Sequence, residues 1–482
     1  MEKLDFNSII KKSVRGVFTL ISRTFFLSII SFGTFLIITG FLPPKEFGIY
    51  TVVIAMQRVV SFFTDFGLGA ALIQKKQELR KEDITTAFTM QAGISLLIFI
   101  LVVISQGILS GFFKLNDDGL RLLLALVFTI FLSSFKTIPS ILLERSLNFG
   151  KLVFPQIVES ITFNFILVAL VISGYGINSF TWAFLLSSLL GIPFYYLVCP
   201  WKIRIGINKD SLGSLKYGLQ FQAKNILATI KDDLLTVILT RLLTFAEIGY
   251  IGFAQRLAFY VFRYVVDSVT KVTFSTYSRV QNDLVFLKKL IEKSLFFVSA
   301  SMFPLLFGLI VISPYLIRYY SKWNNKWEPA IFSLIFFCLN AAVSSLSGIL
   351  VNVLDATGKV KITLRLMIIW TALIWILTPI LIFLYGYNGV SVASFLVTTT
   401  IAFTVFLVKK IVDFRFLQSI YKPIIATIFM GVVVYTSSQM FVKDSLSLLF
   451  VILTGGLIYM LSIFLLAKEE LISGLKQFGI KL

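Results

Sequence analysis

The chain contains no histidine, only two cysteines and little charge: 14% of its 482 residues are Asp, Glu, Lys or Arg. Without histidine it lacks the commonest metal ligand and the commonest general base. Cys199 and Cys338 both fall inside apolar stretches, where they read as free buried thiols with nothing to say about redox compartment. There is no G-x-x-x-x-G-K-[ST] loop, which argues against direct ATP drive within this chain. No metal-ligand cluster stands out, and no sizeable loop exists on which a glycosyltransferase or ligase would present catalytic residues. The expectation is a chain that is not an enzyme and needs no cofactor and no metal.

What the sequence has in abundance is hydrocarbon. Hydrophobic residues make up 57% of it, Phe alone numbers 50, and the mean hydropathy is +0.91. Such a composition cannot supply a polar surface, so the solvent around most of the molecule is lipid. With about 20 apolar residues per crossing, the pattern predicts an all-α polytopic membrane protein of about fourteen transmembrane helices. The apolar segments are 17–42, 47–73, 84–112, 119–143, 151–174, 177–200, 217–243, 247–272, 293–319, 329–354, 363–385, 388–408, 423–442 and 445–467. The first follows Lys11, Lys12 and Arg15 but is too long for a signal h-region, so it reads as a span. Pro139, Pro193, Pro304, Pro314 and Pro379 sit within spans, where kinks are expected.

A net charge of +20 would suggest nucleic acid in a soluble chain. Here it reports topology, and no nucleic-acid partner is expected. Lys and Arg crowd the N-terminal segment and every second loop, for example Lys75, Lys76, Arg80 and Lys81, or Lys409, Lys410, Arg415 and Lys422. The alternate loops hold only Lys45, Lys114, Arg121, Arg241, Arg318, Lys322, Lys326 and Lys443. The positive-inside rule then predicts a multi-pass protein of the cell membrane with both termini cytoplasmic. The longest cytoplasmic connection, 271–293, mixes charge with Val285, Phe286, Leu287 and Leu290, and predicts a helix lying on the membrane surface. The largest opposite loop runs from Arg318 to Glu328.

A short motif occurs twice. Glu46-Phe47-Gly48-Ile49-Tyr50 precedes Gln57-Arg58, and Glu247-Ile248-Gly249-Tyr250 precedes Gln255-Arg256. Each opens an even-numbered segment six helices apart, which predicts two parallel halves. The expected organisation is an N-terminal lobe of helices 1–6 over 1–210, a C-terminal lobe of helices 7–12 over 211–410, and helices 13–14 over 411–482.

The informative residues are the charges inside spans, which cost at least ~2.5–3.5 kcal/mol each and usually face a bundle interior or a wet cavity. They are Arg23, Arg58, Asp65, Lys136, Glu159, Lys224, Lys231, Asp232, Asp233, Arg256, Arg263 and Asp267. Residues seven apart lie within about 20° on a helix, and Arg58/Asp65, Lys224/Lys231 and Arg256/Arg263 have that spacing. Arg23, Arg58, Lys224, Lys231 and Arg256 are therefore expected to line one cationic translocation cavity. Asp65, Asp232 and Asp233 either neutralise those cations or bind a coupling ion. Lys136, Glu159 and Arg263 fit a structural role better, with Lys136 and Arg263 snorkelling to headgroups and Arg263–Asp267 forming an i,i+4 pair. A cationic cavity suits phosphate, and a pyrophosphate-linked lipid is both anionic and membrane-borne.

Two stretches carry a resemblance. The first is Pro43 to Lys76, with Glu46-Phe47-Gly48-Ile49-Tyr50 and Phe63-Thr64-Asp65-Phe66-Gly67-Leu68-Gly69-Ala70-Ala71-Leu72-Ile73-Gln74. The second is Lys216 to Asp283, with Asp232-Asp233, Glu247-Ile248-Gly249-Tyr250 and Ser278-Arg279-Val280-Gln281-Asn282-Asp283. Both resemble the polysaccharide-exporter (oligosaccharide flippase) branch of the multidrug/oligosaccharidyl-lipid/polysaccharide flippase superfamily. That resemblance implies two six-helix lobes around a central cavity, with lipid-linked oligosaccharide as substrate. It also implies polyprenyl-diphosphate carriers, H+ or Na+ as coupling ion, membrane lipids around the chain and polysaccharide polymerase or assembly proteins as partners. Related flippases use arginines in helices one, two and eight, the places of Arg23, Arg58 and Arg256. Two other readings stay open: a small-molecule antiporter of the same superfamily, and a membrane polysaccharide polymerase or ligase.

Overall fold

A backbone in hydrocarbon must satisfy its own N–H and C=O groups, and a helix does this within one segment. The computed structural model describes residues 6–64, 72–73, 75, 77–208, 226–227, 229–320 and 322–477, and among these there is no strand. The first part comprises α1 (Phe6–Phe41), α2 (Pro44–Thr64), α3 (Lys81–Ile104), α4 (Gln106–Phe113), α5 (Asp117–Arg145), α6 (Phe149–Ile172) and α7 (Asn178–Val198). A π turn (Thr229–Leu234) and a short helical stretch to Arg241 lead into α8 (Phe245–Val280). There follow α9 (Leu284–Tyr319), α10 (Ile331–Ala356), α11 (Val360–Tyr385), α12 (Gly389–Thr398), α13 (Ile401–Lys409), α14 (Phe416–Phe441) and α15 (Ser445–Gln477).

Hydroxyl groups follow the same rule as the backbone. Thr39 donates to the Phe35 carbonyl at 2.7 Å, Ser95 to Gln91 at 2.7 Å and Thr51 to Phe47 at 2.8 Å. Each is an i−4 bond that lets a polar side chain sit in an apolar helix at little cost. The five predicted span prolines all lie inside helices, as do Pro155 and Pro423.

Eleven stretches are long and apolar enough to cross a membrane among the described residues. One of them, 50 residues from Val360 to Lys409, contains two of the predicted segments. They meet at Gly386–Asn388, where Gly386 has φ +59° and ψ −150°, a region that is essentially glycine-only. A side chain at Gly389 would lie 2.2 Å from the Leu381 carbonyl, so the two helices reverse with no room to spare. The charged helix α8 and the partly described 217–243 region are not among the eleven.

The chain forms two compact units, Met1–Gly249 and Tyr250–Leu482. In the first, α5 packs on α2, α3 and α7, and α6 packs on α1 and α7. In the second, α9 packs on α10, α14 and α15, with Phe296, Met430, Val434, Val451 and Tyr459 in a shared core. The outward faces are apolar too: Phe383 is 90% exposed, which only lipid tolerates on this scale. Both cysteines are free, Cys338 buried and Cys199 half-buried.

Two expectations need correction. No separate surface helix occupies 271–293. Helix α8 continues to Val280, Gln281–Asp283 make the turn, and α9 begins at Leu284, with Asp283 accepting from the Phe286 N–H at 2.9 Å. Leu287 and Ile291 are fully buried rather than laid on lipid. The charged residues there are good helix formers, so the spanning helices run on past the apolar zone. The predicted segment 84–112 is likewise broken at Ser105, leaving the eight-residue α4 as a separate piece that ends in left-handed Lys114.

The large loop after α9 is packed. Trp323 and Trp327 are fully buried, and Trp327 stacks on Phe253 at 4.2 Å between ring centroids. Burial beside them pushes the Lys326 ammonium down to about 8. Between pH 8 and the ordinary lysine value near 10.4, the unfolded chain therefore holds a proton that the folded chain has released. Stability rises with pH across that window, and thermal unfolding in detergent between pH 7.5 and 10 should show it, with Lys326→Met flattening the rise.

Candidate functional site

Among the described residues of the first unit, the most exposed of the candidate cavity cations is Arg58, on the last turns of α2. It pairs with Asp233, Nη1 to Oδ1 3.1 Å, across 175 residues of sequence. The Arg58 side chain is 50% exposed and that of Asp233 is 16% exposed, so the carboxylate is enclosed while the guanidinium keeps an open edge. Asp233 belongs to the π turn, as do Lys231 and Asp232, which face each other at 3.4 Å. A π turn carries one residue more than an α-helical turn, and such turns gather at functional sites. Thr236 caps the widened backbone, its hydroxyl donating to the Asp232 carbonyl at 2.7 Å.

Arg23 lies deeper in the same unit. Its guanidinium donates to Gln156 on α6. One turn further along α6, Glu159 accepts from Lys136 of α5 at 2.5 Å, and Lys136 also donates to Ser188 of α7 at 3.0 Å. Gly191 on α7 leaves space for this, since a side chain there would sit 3.2 Å from the Glu159 carboxyl carbon. Tyr195 is within electrostatic reach of Glu159 and Arg23. Lys136, 12% exposed, is thus anchored inside the helix bundle and does not snorkel.

Arg256 is half-buried on α8, in the second unit, and Arg263 is exposed on the same helix. Asp65, Lys224 and the side chain of Asp267 lie outside the described residues. The structure therefore joins Arg58 to Asp233 and Lys231 to Asp232, and it sets Arg23 against α6.

The repeated motif meets itself. A side chain on Gly48 would lie 1.7 Å from the Phe245 carbonyl oxygen, and one on Gly249 would lie 2.0 Å from the Pro44 carbonyl oxygen. Each glycine sits four residues into its helix and touches the first residue of the other. At these points the first turns of α2 and of α8, residues 44–48 and 245–249 of the first unit, approach backbone to backbone, which only glycine permits. Thr244 and Glu247 form a capping box at the start of α8, the Glu247 carboxylate accepting from the Thr244 N–H at 2.8 Å. Sequence reading used these glycines only as a sign of repetition. It missed Gln156 and Ser188, which carry no charge to flag them.

The described residues thus form a multi-span helical membrane protein whose apolar helices carry the ion pairs Arg58–Asp233 and Lys136–Glu159. The chain belongs to the polysaccharide biosynthesis protein family, whose sequence pattern matches residues 37–332. It is 23% identical over 476 residues to a membrane protein of the cps region of Klebsiella pneumoniae, covering 93% of each chain. It is 24% identical over 347 residues to the lipopolysaccharide biosynthesis protein WzxC of Escherichia coli K12, covering 68% of this chain and 67% of that one. In fold it is similar to the lipid II flippase MurJ in an inward closed conformation, with TM-score 0.75, 18% identity and coverage of 93% and 99%. It also resembles an inward-facing multidrug transporter of the MATE family, with TM-score 0.63, 12% identity and coverage of 80% and 94%.

Proposed function

We propose that this protein moves a polyprenyl-diphosphate-linked oligosaccharide from the cytoplasmic to the outer leaflet of the cell membrane, for assembly of a surface polysaccharide. The observation that carries the reading is Arg58: a guanidinium with an open edge at membrane depth, in a member of a polysaccharide biosynthesis family. Guanidinium groups match phosphate oxygens in charge and geometry, and a diphosphate is the fixed part of such a substrate whatever its sugar. The name of WzxC and the flippase activity in the name of MurJ support the same assignment.

In this reading Arg23, Arg58, Lys224, Lys231 and Arg256 form a cationic path for the headgroup while the lipid tail stays in the bilayer. Asp65, Asp232 and Asp233 balance those charges or take the coupling ion, H+ or Na+. Two six-helix lobes, 1–210 and 211–410, alternate in access, with 411–482 added as two further helices and both termini cytoplasmic. Polymerase or other assembly proteins receive the product at the outer face.

The test is the leaflet distribution of lipid-linked oligosaccharide in cells depleted of the protein. Accumulation in the cytoplasmic leaflet with loss of surface polymer is the expected result. Unchanged lipid distribution together with raised sensitivity to cationic compounds would replace this reading with a small-molecule antiporter. Neutralising both arginines, Arg58→Gln with Arg256→Gln, should reduce surface polymer by at least roughly a hundredfold, as losing two charge-assisted contacts of about 1.5–3 kcal/mol each implies. Normal polymer in that double variant would remove both residues from the path.

A further inference from the structure

We propose that Asp233 is a built-in competitor for Arg58, an internal anion that the substrate's diphosphate must displace and that reclaims the arginine on release. The inference rests on the flippase reading above and assigns to one residue the threshold for substrate entry.

The geometry sets up the exchange. Asp233 uses a single oxygen on a single guanidinium nitrogen, Nη1 to Oδ1 at 3.1 Å. Arg58 has five N–H donors in a rigid fork, and its side chain is half exposed. One edge is therefore held while the other stays accessible. A diphosphate brings more charge than a carboxylate and can engage the fork through two oxygens, the stronger mode of pairing. A neutral sugar or lipid brings nothing that can take the carboxylate's place, and a monophosphate brings less. Because Asp233 competes equally against every anion, it lowers all their affinities together and leaves the diphosphate above the working threshold.

The backbone lets the carboxylate leave. Asp233 is the fifth residue of the π turn Thr229–Leu234. Returning that turn to α-helical form removes one residue from the bulge, which rotates the flanking helix by about 100°. The Thr236 hydroxyl already holds the Asp232 carbonyl at 2.7 Å, an i−4 contact that regular helix also accommodates. In the empty protein the pair spares Arg58 the cost of an uncompensated charge at membrane depth. In the loaded protein the diphosphate does so, and release is assisted when Asp233 returns.

The experiment uses the full chain in lipid nanodiscs, with polyprenyl diphosphate and polyprenyl monophosphate as probes. Dissociation constants are measured for the wild type and for Asp233→Asn, Asp232→Asn, Arg58→Gln and the Arg58→Gln/Asp233→Asn double variant. Asn keeps the size of Asp, so packing is preserved. Asp233→Asn should tighten both probes by the same factor, roughly tenfold, or about 1.4 kcal/mol. Arg58→Gln should weaken both, and in its background Asp233→Asn should change nothing further. Turnover in reconstituted vesicles should fall for Asp233→Asn despite its tighter binding. Equal tightening in Asp232→Asn would overturn the proposal, because the cause would then be diffuse charge rather than the contact. So would unchanged or weaker binding in Asp233→Asn while Arg58→Gln still weakens it, and in that case the flippase reading survives. If the wild type binds neither probe, the flippase reading fails as well.

Discussion

Placing a methyl group on Gly48 or Gly249 is expected to abolish surface polysaccharide while leaving the protein in the membrane at near-normal levels. In helical terms Gly→Ala should help, since Gly costs about 0.8–1.0 kcal/mol relative to Ala in a helix interior. Tertiary geometry reverses the sign. The new carbon would lie 1.7 Å from the Phe245 carbonyl oxygen in one case and 2.0 Å from that of Pro44 in the other. Both obstacles are backbone, which cannot swing aside as a flexible side chain can. Overpacking costs of about 1–3 kcal/mol are usual when neighbours yield, and here the helices must separate. The arrangement seen here then loses roughly a hundredfold or more of its population, and in the flippase reading proposed above a protein that cannot reach one of its states does not cycle. Gly33→Ala is the control, because nothing lies within 4 Å of the added carbon there. Wild-type polymer in both Gly48→Ala and Gly249→Ala cells would show that the close approach is dispensable.

The second large effect belongs to the pair inside the first unit. Lys136→Met or Glu159→Leu alone should lower stability by about 3–5 kcal/mol, because each leaves an uncompensated charge in an enclosed site. Lys136 and Glu159 are 12% and 25% exposed, and Ser188 supplies one further hydrogen bond. The Lys136→Met/Glu159→Leu double variant should recover most of that loss, since a well-packed apolar pair can replace a buried ion pair at little net cost. Thermal unfolding of the purified protein in detergent reads all three. Transport by the double variant then separates two roles. Recovery of stability and transport together marks the pair as structural, whereas recovery of stability with transport still lost marks it as part of the cycle. Single variants as stable as the wild type would contradict the pairing itself.

Residue by residue, legibility followed range. Helix existence was readable because it depends on local composition: a run such as 331–356 has one low-energy arrangement in lipid, a helix. The intramembrane charges were readable for the same reason, since an Arg at position 58 or a Lys at 136 is conspicuous against hydrocarbon. Helix ends were less so, because the charged residues that stop a span do not stop a helix: α8 runs on past its predicted end at 272 to Val280, and α9 begins at Leu284, before its predicted start at 293. Partners were least legible. Helical spacing related Arg58 only to Asp65 on its own segment, whereas its partner Asp233 is 175 residues away, and no periodicity carries information over that distance. Uncharged partners such as Gln156 gave no signal at all.

The sequence by itself determined that this is a multi-span helical membrane protein, that its motifs repeat, and that cations are placed where hydrocarbon should be. Those properties are set by transfer free energies and backbone satisfaction, which each segment settles locally. Only the tertiary structure decided that Asp233 occupies Arg58 from a π turn, that Lys136 is anchored by Glu159 instead of reaching for headgroups, and that Gly48 and Gly249 are where two backbones touch. Those are matters of a few ångströms between distant segments, and they depend on how helices pack rather than on what any one of them contains.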